Sequence, residues 1–184
     1  MGISRRAALI HGAALAGAAT LAAAPAPANA WAFEFPSIDE GLLQLAQFQG
    51  KVLLVVNTAS FCGYTPQYRQ LEALHRRLSP QGFAVIGVPS QDFGQESGTN
   101  GEVKAFCEST FGVDFPMAAI GHVRGAGAAP FYQWVREQRR WEPRWNFYKV
   151  LIGRDGMIAG TFGSDDEPDR GRLASAIQQA VERT

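Results

Sequence analysis

One cysteine stands where it can become a nucleophile. Cys62 follows the apolar run Lys51–Ala59 and precedes Gly63, Tyr64, Thr65 and Pro66, after which a helical pattern begins. A thiol in the first turn of a helix feels unpaired backbone N–H groups and the positive end of the helix dipole, which favour the thiolate. Three residues on, where a disulfide oxidoreductase would carry a second cysteine, the chain has Thr65. One sulfur rather than a CxxC pair points to peroxide chemistry.

Other residue types fit that chemistry. Splitting an O–O bond needs donors that hold the sulfur and oxygen in place, and a proton for the departing oxygen. Trp145 offers a donor-only indole N–H and Asn146 a carboxamide. Cys107 lies 107 − 62 = 45 residues beyond Cys62. In an oxidising compartment the two cysteines can be read as a structural disulfide or as a transient catalytic pair. His75 and His122 have no His or Cys neighbour at ligand spacing, and no metal or organic cofactor is implied.

Three segments in order resemble the glutathione peroxidase family. The family's Val-Asn-x-Ala-Ser-x-Cys-Gly-x-Thr appears as Val56–Thr65, its Trp-Asn-Phe as Trp145–Phe147, and its Pro-x-x-x-Phe-Gly with a following Gln-Glu as Pro89–Glu96. The resemblance implies that Cys62, Trp145 and Asn146 are catalytic, that the fold is thioredoxin-like, and that a hydroperoxide is reduced with electrons from glutathione or a thioredoxin-like protein. Counted from Pro89, the motif Pro-Cys-Asn-Gln-Phe-Gly places Asp92 where relatives carry a catalytic glutamine. Asp92 is then the expected proton relay, with Gln91 as the alternative. Relatives that use thioredoxin carry a resolving cysteine in the helix of Cys107, which in the plant members falls one residue later. That offset turns a helical side chain by about 100°, so a Cys62–Cys107 bond would require local unwinding, since Cα atoms more than about 7 Å apart cannot be bridged. A thioredoxin-like binding or disulfide-exchange module without peroxidase turnover is the alternative function.

The elements that must hold these residues read as an α/β fold, a thioredoxin-like sandwich with a central mixed sheet flanked by helices. Lys51–Ala59 has the continuous apolar character of a strand buried on both faces. A helix follows, capped by Thr65 and begun by Pro66, with Leu71, Leu74 and Leu78 as its apolar stripe. Phe83–Val88 is the next strand, parallel to the first. Gly98–Thr110 and Pro130–Arg139 read as helices, and Phe147–Gly153 with Met157–Phe162 as a hairpin turning at Asp155-Gly156. Pro168–Arg183 closes the chain as a helix with Leu173, Ile177 and Val181 on one face. Only about one helix fits between Ala129 and Trp145, so the insertion that builds tetramers in some relatives is missing and a monomer is expected.

The first 30 residues contain no acid; they carry Arg5-Arg6, an Ala/Gly-rich stretch and Ala28-Asn29-Ala30. Paired arginines, weak hydrophobicity and an A-x-A site read as a twin-arginine export signal cleaved after Ala30, delivering one domain, residues 31–184, to the periplasm without a stable membrane anchor. Removing the two arginines from 17 basic residues leaves 15 against 17 acidic ones, a net charge of −2 that excludes a nucleic-acid binder. Arg136, Arg139, Arg140 and Arg144 flank Trp145 and could attract an anionic reductant.

Overall fold

The computed structural model describes residues 1–2 and 27–183, so Arg5, Arg6 and the Ala/Gly-rich stretch of the signal reading lie outside the described residues. Four strands form the central sheet: β3 (Val52–Thr58), β4 (Phe83–Pro89), β5 (Lys149–Ile152) and β6 (Ile158–Phe162), in the order β4-β3-β5-β6. β3 and β4 run parallel, while β5 is antiparallel to both β3 and β6. Every residue of β3 and β4 is buried, as their unbroken apolar sequence requires when both faces are covered.

Alternation along β3 divides the core. Val52, Leu54 and Val56 face α1 (Gln67–Leu78), α2 (Asn100–Phe111) and α4 (Gly171–Glu182), together with Leu71, Leu74, Leu78, Leu173, Ile177 and Val181. Leu53 and Val55 face α3 (Pro130–Arg139) and an aromatic cluster that includes Phe33, Phe35, Phe131 and Trp134. Burying each such side chain stabilises the fold by roughly 1.5–3 kcal/mol, so the two clusters fix which face every helix takes.

Several boundaries follow local chemistry. α2 begins with a capping box: Thr99 accepts from the Glu102 N–H while Glu102 accepts from the Thr99 N–H. α3 begins at Pro130, which has no N–H to leave unpaired. The β5–β6 turn passes through Gly156 at φ +79, and a Cβ there would meet the Trp31 indole at 2.5 Å. Trp31 is thereby docked onto the hairpin, next to the bond from Ala30 N to Gly156 O. Only residues 140–144 separate α3 from Trp145. A short hairpin, β1 (Glu34–Pro36) with β2 (Leu42–Gln44), is absent from the sequence reading, because three residues with one buried position leave almost no periodic signal.

Candidate active site

Cys62 lies in the turn before α1, not in the helix's first turn. Successive bonds from Thr65 N to Cys62 O, Gln67 N to Tyr64 O and Tyr68 N to Thr65 O wind the chain into α1, which starts at Gln67. Thr65 does not cap that helix. Its Oγ1 accepts from Cys62 N at 3.0 Å and donates to Ala59 O at 2.9 Å, bracing the turn from inside. The backbone donor that meets the sulfur is Tyr64 N, 3.4 Å from Sγ. Local N–H geometry thus takes the place of the helix dipole. Cys62 is 8% exposed, sheltered but within reach of a small peroxide.

The Trp145–Tyr148 segment is fastened to the same end of β3. Asn57 donates Nδ2 to Trp145 O and accepts at Oδ1 from Tyr148 N, both at 3.0 Å. Its backbone bonds Phe147 N and Tyr148 O. Phe147 is held at φ +59, a conformation bulky residues rarely adopt. The strand β5 therefore starts at Lys149, two residues later than the sequence pattern suggests. Asn146 is fully buried and donates Nδ2 to Gln95 Oε1 at 2.9 Å. Trp145 remains 40% exposed, its ring 5.5 Å from that of Phe93.

Gln95 is the site residue that the sequence reading missed. Its carbonyl accepts from Phe61 N at 2.9 Å, so it is tied by backbone to the residue before Cys62 and by side chain to Asn146. The adjoining Glu96 is buried and accepts at Oε1 from Ser60 N, Ser60 Oγ and Ser97 N. Burial pushes its carboxyl up against those three bonds. The available signal was the Gln-Glu pair itself.

Asp92 and Gln91 have other partners. One Asp92 oxygen meets His122 Nδ1 at 2.7 Å and the other accepts from Val123 N and Arg124 N. Burial opposes its charge, but the His122 ring and the two N–H groups outweigh it and hold the carboxyl below its usual range. An ionised carboxylate with both oxygens engaged is poorly suited to relay a proton, which speaks against the expected role of Asp92. Gln91 donates Nε2 to Glu96 O and Ser97 O within its own loop, which leaves it no better placed as the alternative. The reason is the turn at Gly94, φ +67, with Gly94 N bonded to Gln91 O. It carries Gln95, rather than Asp92, back to Phe61, the residue before Cys62.

Cys107 is fully buried on α2, in the same apolar cluster as Cys62, and both thiols are free. Burial pushes the Cys107 thiol up to about 11, although the Tyr68 hydroxyl opposes the shift. His75 accepts from Val85 N at Nδ1 and is a packing residue. Of the four arginines near Trp145, Arg136 is bound to Gly125 O and Glu142 and Arg139 to Ile158 O.

A family profile described as glutathione peroxidase matches residues 30–136. A Synechocystis protein, hydroperoxy fatty acid reductase gpx1, is 39% identical over 162 residues, covering 82% of this chain and 95% of its own. The chain belongs to the glutathione peroxidase family. A crystal structure of Trgpx in apo form superposes with a TM-score of 0.67 at 31% identity, covering 85% of this chain and 98% of that one. A thioredoxin-family thiol:disulfide interchange protein of Chlorobium tepidum gives 0.60 at 16% identity, over 87% of this chain and 99% of its own, and shares the thioredoxin-like fold. This member of the glutathione peroxidase family is an enzyme, a thiol peroxidase that reduces hydroperoxides at the expense of a glutathione- or thioredoxin-type reductant. A binding module without turnover is set aside.

Proposed function

We propose that Cys62 is the sulfur oxidised by hydroperoxide, that Trp145, Asn146 and Gln95 orient the reacting oxygens, and that Cys107 closes the cycle. The observation that carries this reading is the convergence at one turn: Tyr64 N–H meets Sγ, and Gln95 bonds both Phe61 and Asn146. The thiolate attacks one peroxide oxygen; an S–O bond forms, the O–O bond breaks, and the sulfur loses two electrons to the oxygen that leaves. That oxygen takes a proton and departs as alcohol or water. Because Gln95 Oε1 is occupied by Asn146, the Gln95 NH₂ is left as a donor. Asn146 Oδ1 is buried without a partner among the described residues and can accept from the hydroperoxide O–H.

Cys62 is then a sulfenic acid. Attack by Cys107 forms the S–S bond, and water leaves with the Cys107 proton. Since Cys107 is buried in α2 and holds its proton tightly, this step needs α2 to open locally. One equivalent of peroxide is expected to leave a Cys62–Cys107 disulfide, seen by mass spectrometry as the loss of two hydrogens. A persistent sulfenate, one oxygen heavier and without the disulfide, would instead assign resolution to an external thiol such as glutathione. The disulfide form suits a thioredoxin-like dithiol.

Fatty-acid hydroperoxides fit the rim of the site. Phe61 is 66% exposed and packs on Phe106, Trp145 packs on Phe93, and the Arg124 guanidinium lies 5.4 Å from the Phe93 ring centroid. An acyl chain can lie across the aromatic edges with its carboxylate towards Arg124, a substrate like that in the name of the Synechocystis relative. Phe61→Ser is expected to lower kcat/KM for a fatty-acid hydroperoxide about fivefold, the worth of about 1 kcal/mol of apolar contact, and to leave hydrogen peroxide unaffected. Steady-state assays with both substrates check it. Export by the twin-arginine route, cleavage after Ala30 and action as a periplasmic monomer complete the proposal; Arg5-Arg6, Ala28-Asn29-Ala30 and the short span after α3 support it.

A further inference from the structure

Lys149 is fully buried, an uncommon place for an ammonium group, and no step of the peroxide cycle uses it. It opens β5 and pairs in register with Val56 and Phe162. Strand alternation puts it on the Leu151 face, the one that carries Cys62 and packs against α1 and α4. Its Nζ donates to the carbonyl oxygens of Gly163 and Ser164, both at 3.2 Å.

Those two residues form a junction. Ser164 O also accepts from Gln67 Nε2 at 2.7 Å, tying the turn to the start of α1. Ser164 Oγ donates to Asn146 O at 2.7 Å. The next residue, Asp165, accepts from the hydroxyl of Tyr64, whose N–H meets the Cys62 sulfur. One ammonium thus holds a turn that is bonded both to the Asn146 segment and to the segment that follows Cys62. We propose that Lys149 is a positioning residue for oxidation of Cys62, fixing Asn146 and the Tyr64–Gln67 segment through the Gly163–Ser164 turn. The inference rests on Cys62 being the oxidised sulfur.

The physical cost of this arrangement supports a role in positioning. Burial pushes Lys149 down to about 7, even though Asp166, Glu167 and Asp165 pull the other way. Each of those acids also has another partner: Asp166 binds Arg172 and Gly163 N, Glu167 binds Gln70 and Arg170, and Asp165 binds Tyr64. An apolar side chain of similar length would fill this space without the desolvation cost, and the carbonyls of Gly163 and Ser164 would each keep one other partner, Asp166 N and Gln67 Nε2.

Lys149→Met in the full chain tests the idea. Its melting temperature is expected to stay within about 5 °C of the parent's, the scale of about 1 kcal/mol. Its second-order rate with hydrogen peroxide at neutral pH is expected to fall about tenfold, and alkylation of Cys62 by iodoacetamide to slow by a similar factor, since misplacement alone can cost that much. A purely structural lysine would move the melting temperature and leave the alkylation rate alone. Peroxide and alkylation rates within twofold of the parent overturn the inference. If the Met variant does not fold, Ser164→Ala decides: a loss of about threefold or more with peroxide supports positioning through the turn, at the scale of one lost hydrogen bond, and a parental rate overturns it. Peroxide inertness of the parent would sink the reading of Cys62 instead, which keeps the two failures distinct.

Discussion

Cys62→Ser is expected to abolish the rapid peroxide-dependent change in Trp fluorescence, and Gln95→Ala to lower the second-order rate about a hundredfold, the usual effect of removing one preorganised donor at a reacting oxygen. Serine cannot take up the oxygen as a sulfur does, so the first result is all or none. The second follows from geometry: Gln95 is tied to Phe61 and to Asn146, and its loss removes a donor and frees the Asn146 carboxamide. Asp92→Ala is the informative contrast. Its rate is expected to stay within about threefold of the parent, while stability falls by about 2 kcal/mol, because hydrogen bonds to a charged group are each worth roughly 1.5–3 kcal/mol. The stability difference has a defined pH dependence. The folded carboxyl lies below its unfolded value near 3.9, so its contribution is full above that pH and disappears as pH falls through the folded value. Urea titrations of parent and Asp92→Ala should therefore converge in strong acid. A hundredfold loss in Asp92→Ala beside a parental Gln95→Ala would return the relay to Asp92.

How these two residues exchange roles shows what could be read from the chain. Continuous burial of β3 and β4, the Leu71–Leu74–Leu78 stripe, the helix read at Gly98–Thr110, the Pro130 start of α3 and the Asp155-Gly156 turn are local patterns, and each forms an element close to its expected bounds. Counting from Pro89 does not foresee the contacts of Gln95, because a loop's register is set by its turn, not by distance along the chain. The positive φ of Gly94 reverses the backbone there, and nothing in Gln91, Asp92 or Gln95 taken alone announces that reversal. Lys149 was hidden for a related reason. It reads as one polar residue in a strand, and only the fold of residues 163–164 around its ammonium gives it a place.

Asn57→Ala is expected to destabilise the protein by about 2 kcal/mol, since it strips a part-buried carbonyl and a part-buried N–H of their partners at roughly 1 kcal/mol each. Trp145 O and Tyr148 N are the groups left unpaired. Between them sits Phe147 at φ +59, a conformation that costs about 1–3 kcal/mol and persists only where its surroundings impose it. Asn57 supplies that constraint with both its side chain and its backbone. Without the side chain, the segment can relax towards an ordinary strand, which would break the Asn146–Gln95 bond and the Trp145–Phe93 packing. The peroxide rate should accordingly drop more than tenfold even in the folded fraction, a loss beyond what reduced stability alone produces. Asn57→Asp sharpens the test: it keeps an acceptor for Tyr148 N but sets an anionic oxygen against Trp145 O, so it should be at least as damaging as alanine. Urea denaturation and stopped-flow fluorescence on the same preparations separate the two effects. A stable Asn57→Ala protein reacting at the parental rate would mean that the strained Phe147 turn holds itself, and that the site is positioned from elsewhere.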